Sequence, residues 1–201
     1  MEMNKYILVS CLLIGILIAF SNVVAHDHNI TESFDKPSLK TAAAFDKMMQ
    51  VITHKRCVNC HPSGDTPRQG EDSHLHYFGV QRGVDGQGLA GYTCATCHHE
   101  ENNLYAGVPG APHWGLAPAS MAWEDKSKVE IATQMMDPAR NGGKNAQEIL
   151  KHLTEDELVL WAWEPGVDDE GVPRETPPLS KKEWITTVEA WINNGAIIPA
   201  E

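Results

Sequence analysis

Cysteine is scarce in this chain and confined to few places. Of five cysteines, Cys11 lies in an apolar leader and four form two copies of one short run, Cys57-Val58-Asn59-Cys60-His61 and Cys94-Ala95-Thr96-Cys97-His98. With the leader removed, no cysteine is left for a disulfide framework, the usual covalent support of small exported domains. Basic charge is short as well: 16 Lys and Arg against 27 Asp and Glu give a formal net charge of −11. Glu2 and Lys5 cancel, so loss of the leader leaves that value unchanged. Such a balance argues against nucleic acid and anionic membrane as partners and favours a positive or neutral docking surface on another protein. Long apolar runs are missing apart from Tyr6 to Phe20, which is short for a span of about 20 residues and is followed by polar Ser21 and Asn22. No repeat longer than the cysteine run itself is visible.

The leader has the plan of a secretory signal, with Lys5 before the apolar stretch and Val23-Val24-Ala25 as a small-residue cleavage site. The organisation expected is a signal peptide over 1–25, a polar tail over 26–37 and one domain over 38–201, exported to the periplasm or beyond. Membrane attachment follows only if the signal stays uncleaved. Cleavage after Ala25 exposes His26-Asp27-His28, an X-X-His start able to bind copper(II) or nickel(II), although a solvated tail is the simpler reading.

Each five-residue run has the C-x-x-C-H spacing of covalent haem attachment. Cysteines at i and i+3 of a helical turn share a face, so both sulfurs reach the vinyl groups of one porphyrin. The following histidine supplies an axial imidazole. The cofactors expected are therefore two covalently attached haem c groups, bound through Cys57, Cys60 and His61 and through Cys94, Cys97 and His98, with His61 and His98 as proximal iron ligands.

Distal ligands must come from the remaining histidines and methionines. His54 shares the helical face of His61 and could ligate or flank only the second haem, and His99 is rotated roughly 100° from its own iron. His152 lies on an amphipathic helix, which suits a surface or capping role, and Met48 and Met49 read as core. This leaves His74 and His76, in the loop after the first run, for the first iron, and His113 and Met121 for the second. A loop histidine could instead hydrogen-bond a propionate. The six tryptophans read as flat partners for haem edges, with each indole N–H finding an acceptor.

Elsewhere the pattern is helical with long irregular joins. Ser38 to Thr53 carries Phe45, Met48, Met49 and Ile52 at helical spacing. Segments 62–91 and 99–120 are rich in Gly and Pro without periodicity, and the first reads as a loop wrapping the first haem. Capping boxes at Ser127/Glu130, Asn145/Glu148, Thr154/Glu157 and Ser180/Glu183 announce helix starts, and the last helix carries Trp184, Val188 and Trp191 and stops near Gly195. The fold class expected is mainly α, with cytochrome c-like helices, haem-wrapping loops and little or no β-sheet.

Four blocks carry a more specific likeness: Thr53 to Pro62; Val108 to Trp114 with Leu116-Ala117-Pro118 and Met121-Ala122-Trp123; Asp137 to Gly143; and Trp191-Ile192 with Gly195-Ala196. Together they resemble a family of exported dihaem cytochromes c labelled isoquinoline 1-oxidoreductase subunits, over roughly residues 41–198. Lys55 and the acidic stretch Asp168 to Glu170 depart from that pattern. The resemblance implies an electron acceptor for a molybdenum hydroxylase, although no molybdopterin or iron–sulfur motif is present in this chain. The function expected is one-electron transfer between redox partner proteins, as a carrier or electron-transfer subunit rather than an enzyme. One alternative is a dihaem enzyme whose open iron acts on peroxide or a nitrogen oxide. Another is zinc held by the two C-x-x-C pairs.

Overall fold

The computed structural model describes residues 35–200. The expected signal peptide and the His26–His28 start that its cleavage would expose lie outside them. Residues Pro37–Glu201 form one compact unit, and of the unit before it only Asp35 and Lys36 are described.

Helix α1 (Asp35–Ile52) starts earlier than the Ser38 cap predicts. Pro37 falls in its first turn, where a missing N–H breaks no helical bond. The apolar spacing works as expected, since Phe45, Met48, Met49 and Ile52 are all buried. After Ile52 the chain turns, His54 caps the single turn α2 (Lys55–Val58), and the first cysteine run follows.

The segment after the first run is not structureless. It holds a two-residue ribbon, β1 (Arg68–Gln69) with β2 (His74–Leu75), and the start of a second, β3 (Gly88–Leu89) with β4 (Tyr92–Thr93), both antiparallel. Arg82, buried in this loop, donates to the carbonyls of Gly64 and Ala117 and so ties both sides of the first run together. The second cysteine run leaves β4 as a 3₁₀ turn, Cys94–Thr96.

The C-terminal part is α3 (Lys128–Met136), α4 (Ala146–Glu155), α5 (Glu157–Leu160) and α6 (Lys181–Asn193). Ser127, Asn145 and Ser180 make complete capping boxes with Glu130, Glu148 and Glu183. Thr154 does not. It lies inside the last turn of α4 and bonds back to the Leu150 carbonyl at 2.8 Å, while Asp156 caps α5. Helix α6 ends in a Schellman motif: Ala196 N–H donates to the Trp191 carbonyl, Gly195 N–H to that of Ile192, and Gly195 takes φ +92°.

One apolar core joins these elements. Phe45, Met48 and Met49 of α1 belong to the same buried cluster as Ile131 and Met135 of α3, Ile149 and Leu153 of α4, and Trp184 and Trp191 of α6. The result is predominantly helical with two minimal sheets. Among the described residues no helix is long and apolar enough to cross a membrane.

Candidate functional site

Each cysteine run folds as a single turn rather than as part of a long helix. Cys60 N–H donates to the Cys57 carbonyl and Cys97 N–H to the Cys94 carbonyl, both at 3.1 Å. This i to i+3 closure brings the paired thiols to one side. All four thiols are free of disulfide. Burial pushes Cys57 up to about 12 and Cys60 to about 11, so both are neutral thiols at ordinary pH. The Cys94 thiol is close enough to add to the rise at Cys60, so the two runs are neighbours.

The histidine ending each run is held in the same way. His61 Nδ1 lies 2.7 Å from the Met121 carbonyl, and His98 Nδ1 lies 2.7 Å from the Pro109 carbonyl. A carbonyl can only accept, so Nδ1 carries the proton in both rings and Nε2 keeps its lone pair. Hydrogen bonds of this kind fix the tautomer of metal-binding imidazoles. Each ring also lies flat against an indole: His61 on Trp123 at 3.4 Å and 6°, His98 on Trp114 at 4.6 Å and 8°. Burial lowers both histidines, His61 to about 3, so both imidazoles are neutral.

The segment 121–123 clamps His61 three times. The Met121 carbonyl accepts the hydrogen bond of the ring Nδ1–H, Trp123 N–H donates to the His61 carbonyl at 2.9 Å, and the indole covers the ring. At the second run the equivalent carbonyl is positioned by a close crossing. A Cβ on Gly110 would stand 2.2 Å from the Glu101 carbonyl oxygen and 2.6 Å from that of His99, so only glycine fits beside Pro109.

Two cavities open onto these histidines. The first, about 240 Å³, is lined by Cys57, Cys60 and His61 against apolar side chains that include Ile52, Met135 and Trp163. It is several times larger than the void a single water needs. The second, about 330 Å³, is lined by Ala95, His98, His99 and Trp114. Gln87 and His113 belong to both walls. Trp123 Nε1 is buried at the first cavity without a protein acceptor, whereas the indoles of Trp161, Trp163, Trp184 and Trp191 all find one. At the first cavity, paired thiols, an open Nε2 and an apolar wall with one unmatched N–H are a donor set that suits a covalently attached haem. Among the described residues no group of three or more His, Cys, Asp or Glu side chains is gathered as for a metal ion. A haem iron needs no such group, because the porphyrin provides four of its ligands and the protein at most two.

The distal candidates fall differently from expectation. His76, read for the first iron, lies against His98 of the second run, with ring centroids 6.0 Å apart. His74 is held by Asp72 at 2.6 Å and packs on Tyr77. Met121, read for the second iron, stands at the first run: its carbonyl accepts from His61 and it lines the first cavity. His113 is exposed and borders both cavities. His54 is a helix cap, accepting from Arg56 N–H and contacting Glu175. His152, read as a surface or capping residue, lines the first cavity with His61. Nothing in its helical pattern singled it out except Asp156 four residues on, whose carboxylate it contacts at 2.9 Å.

Comparisons with models of known families, with curated proteins and with solved structures give no match to this chain.

Proposed function

We propose that this chain is an exported c-type cytochrome carrying two haems, one on each cysteine run. The observation that carries the reading is the repeated frame around His61 and His98: a cysteine-pair turn, a ring Nδ1–H donating a hydrogen bond to a backbone carbonyl, an open Nε2 and a stacked tryptophan. Two segments unrelated in sequence outside the runs arrive at the same arrangement.

More particularly, we propose that it is an electron-transfer subunit of the isoquinoline 1-oxidoreductase-associated kind, accepting electrons from a molybdenum hydroxylase-type partner. The sequence blocks carry that step, and the second of them supplies site residues at both runs: Pro109 and Trp114 at the second run, Met121 and Trp123 at the first.

When bound, the haems supply one-electron exchange between iron(III) and iron(II). The protein's work is to hold and to insulate. The cysteines anchor the macrocycle, and His61 and His98 present fixed, neutral Nε2 atoms without reorientation. Trp123 and Trp114 lock the rings so that little rearranges when charge changes. Apolar walls on the first cavity exclude water, and the walls shared at Gln87 and His113 keep the two centres adjacent. The acidic surface favours a partner with a basic or neutral docking face.

Reductive titration of the purified protein tests this reading. Uptake of two electrons per chain without rapid carbon monoxide binding is the expected result. Rapid binding of carbon monoxide by the reduced protein, with peroxide turnover, would identify the open-iron enzyme instead.

A further inference from the structure

We infer that His76 is the sixth ligand of the iron carried by the second run, opposite His98, so that the loop following the first haem run closes the second haem. The inference rests on the dihaem reading and adds to it a ligand that the chain order does not suggest.

The first argument is distance. A metal–imidazole bond is about 2.0 Å and the ring centroid lies about 1.1 Å beyond the nitrogen, so two axial imidazoles stand roughly 6 Å apart, centroid to centroid. His76 and His98 stand at 6.0 Å. Their planes make 70°, an angle open to two rings that share an axis through their nitrogens.

The second argument is tautomer. His76 Nδ1 lies 2.8 Å from the Tyr77 carbonyl, so its proton is on Nδ1 and its lone pair on Nε2, as in His98. The two lone pairs are therefore complementary to one metal and useless to each other as a hydrogen bond. The third argument is that the position is built. His76 N–H donates to the Pro67 carbonyl at 2.9 Å, and Tyr77 N–H donates to Gln69 at 3.1 Å. The ribbon β1–β2 thus delivers the residue on a fixed backbone. His113 and His99 line the second cavity and His76 does not, but neither of those two rings is held by such a bond, whereas His76 faces His98 directly.

A separate observation points to His152 as the sixth ligand of the first iron. It shares the first cavity with His61, and its Nδ1 faces the Asp156 carboxylate at 2.9 Å, which again leaves Nε2 as the lone-pair nitrogen.

The test uses the full chain matured with haem, compared with His76→Ala, His76→Met, His113→Ala, His152→Ala, His152→Met, His74→Ala and the double variant His76→Ala/His152→Ala. Intact mass is read first: an unmodified wild-type chain would end the dihaem reading itself, before any ligand is judged. In the oxidised wild type, electron paramagnetic resonance and resonance Raman should show two low-spin six-coordinate irons. In His76→Ala one of the two irons should become high-spin, bind carbon monoxide when reduced, and return to low spin with added imidazole. His76→Met should raise the potential of that same iron and add a methionine–iron(III) charge-transfer band. His152→Ala should open the other iron, so the double variant opens both. Two low-spin irons in His76→Ala, or an opened second iron in His113→Ala, would overturn the assignment of His76. A first iron opened by His74→Ala, or unmoved by His152→Ala, would overturn that of His152. If the alanine variants fail to accumulate, absence of the new band in His76→Met overturns the first assignment, and in His152→Met the second.

Discussion

Trp123 is the side chain on which the first site leans most, and its removal has a calculable cost. It is 5% exposed, lies 3.4 Å from the His61 ring, and lines the cavity beside Met121. Truncating a buried Trp to Ala costs about 3–5 kcal/mol, lost transfer energy and cavity together. A stacked aromatic pair adds about 0.5–1.5 kcal/mol, which Trp123→Phe largely keeps. In a domain of this size each kcal/mol lowers the melting temperature by about 2–4 °C, so with both contributions lost Trp123→Ala should fall by roughly 7–26 °C. Urea titration of the mature protein should show the same loss in midpoint at an unchanged slope. Trp114→Ala is the internal comparison. Trp114 is only half-buried and rests edge-on against Trp161 at 4.8 Å, so the same truncation should cost about half as much. A loss below about 1 kcal/mol in Trp123→Ala, the ordinary effect of a point substitution, would refute the clamp argument. So would an equal loss at both positions.

Three further outcomes follow from the geometry. Ser127→Ala, Asn145→Ala and Ser180→Ala should each cost about 1 kcal/mol in urea titrations, whereas Thr154→Ala, which caps nothing, should stay within about 0.5 kcal/mol. Gly110→Ala should displace the Pro109 carbonyl and alter the optical and resonance spectrum of the second haem while leaving the first unchanged. Glu124 accepts from Ser63 N–H and hydroxyl and from Arg68, which holds its carboxyl below its ordinary 4.5. Its stabilisation is present above that value. As pH falls from 4.5 through the lower folded value, the unfolded chain takes the proton first and stability drops. Wild type should therefore lose more stability than Glu124→Gln between about pH 5 and 3, measured by urea titration at each pH.

The parts of this molecule that were legible in the sequence are those set by local chemistry. The apolar faces of α1 and α6 follow from spacing alone, and three capping boxes formed because a Ser or Asn with Glu at the third position satisfies orphan N–H groups without outside help. Thr154/Glu157 failed because the same pattern occurs inside a helix already running, where Asp156 offers the better cap. The cysteine runs are equally plain as motifs of five consecutive residues, and both fold as single turns whose histidine rings face a backbone carbonyl. What encloses them is not plain. Met121 and Trp123 reach His61 across 60 and more residues of chain, and backbone carbonyls have no signature in sequence. The side on which His76 lies is not legible, because loop length says how far a residue can reach and not in which direction. The ribbon that turns it toward His98 depends on pairing Arg68 with Leu75 and Gln69 with His74, a contact too short to leave a periodic trace.

The account stands on covalent attachment at both runs, and intact mass spectrometry of the chain purified from an exporting, cytochrome-maturing host measures it directly. Two haem additions on the wild type are predicted, with one in Cys57→Ala/Cys60→Ala and one in Cys94→Ala/Cys97→Ala. A wild-type chain at its unmodified mass would contradict the account at its root.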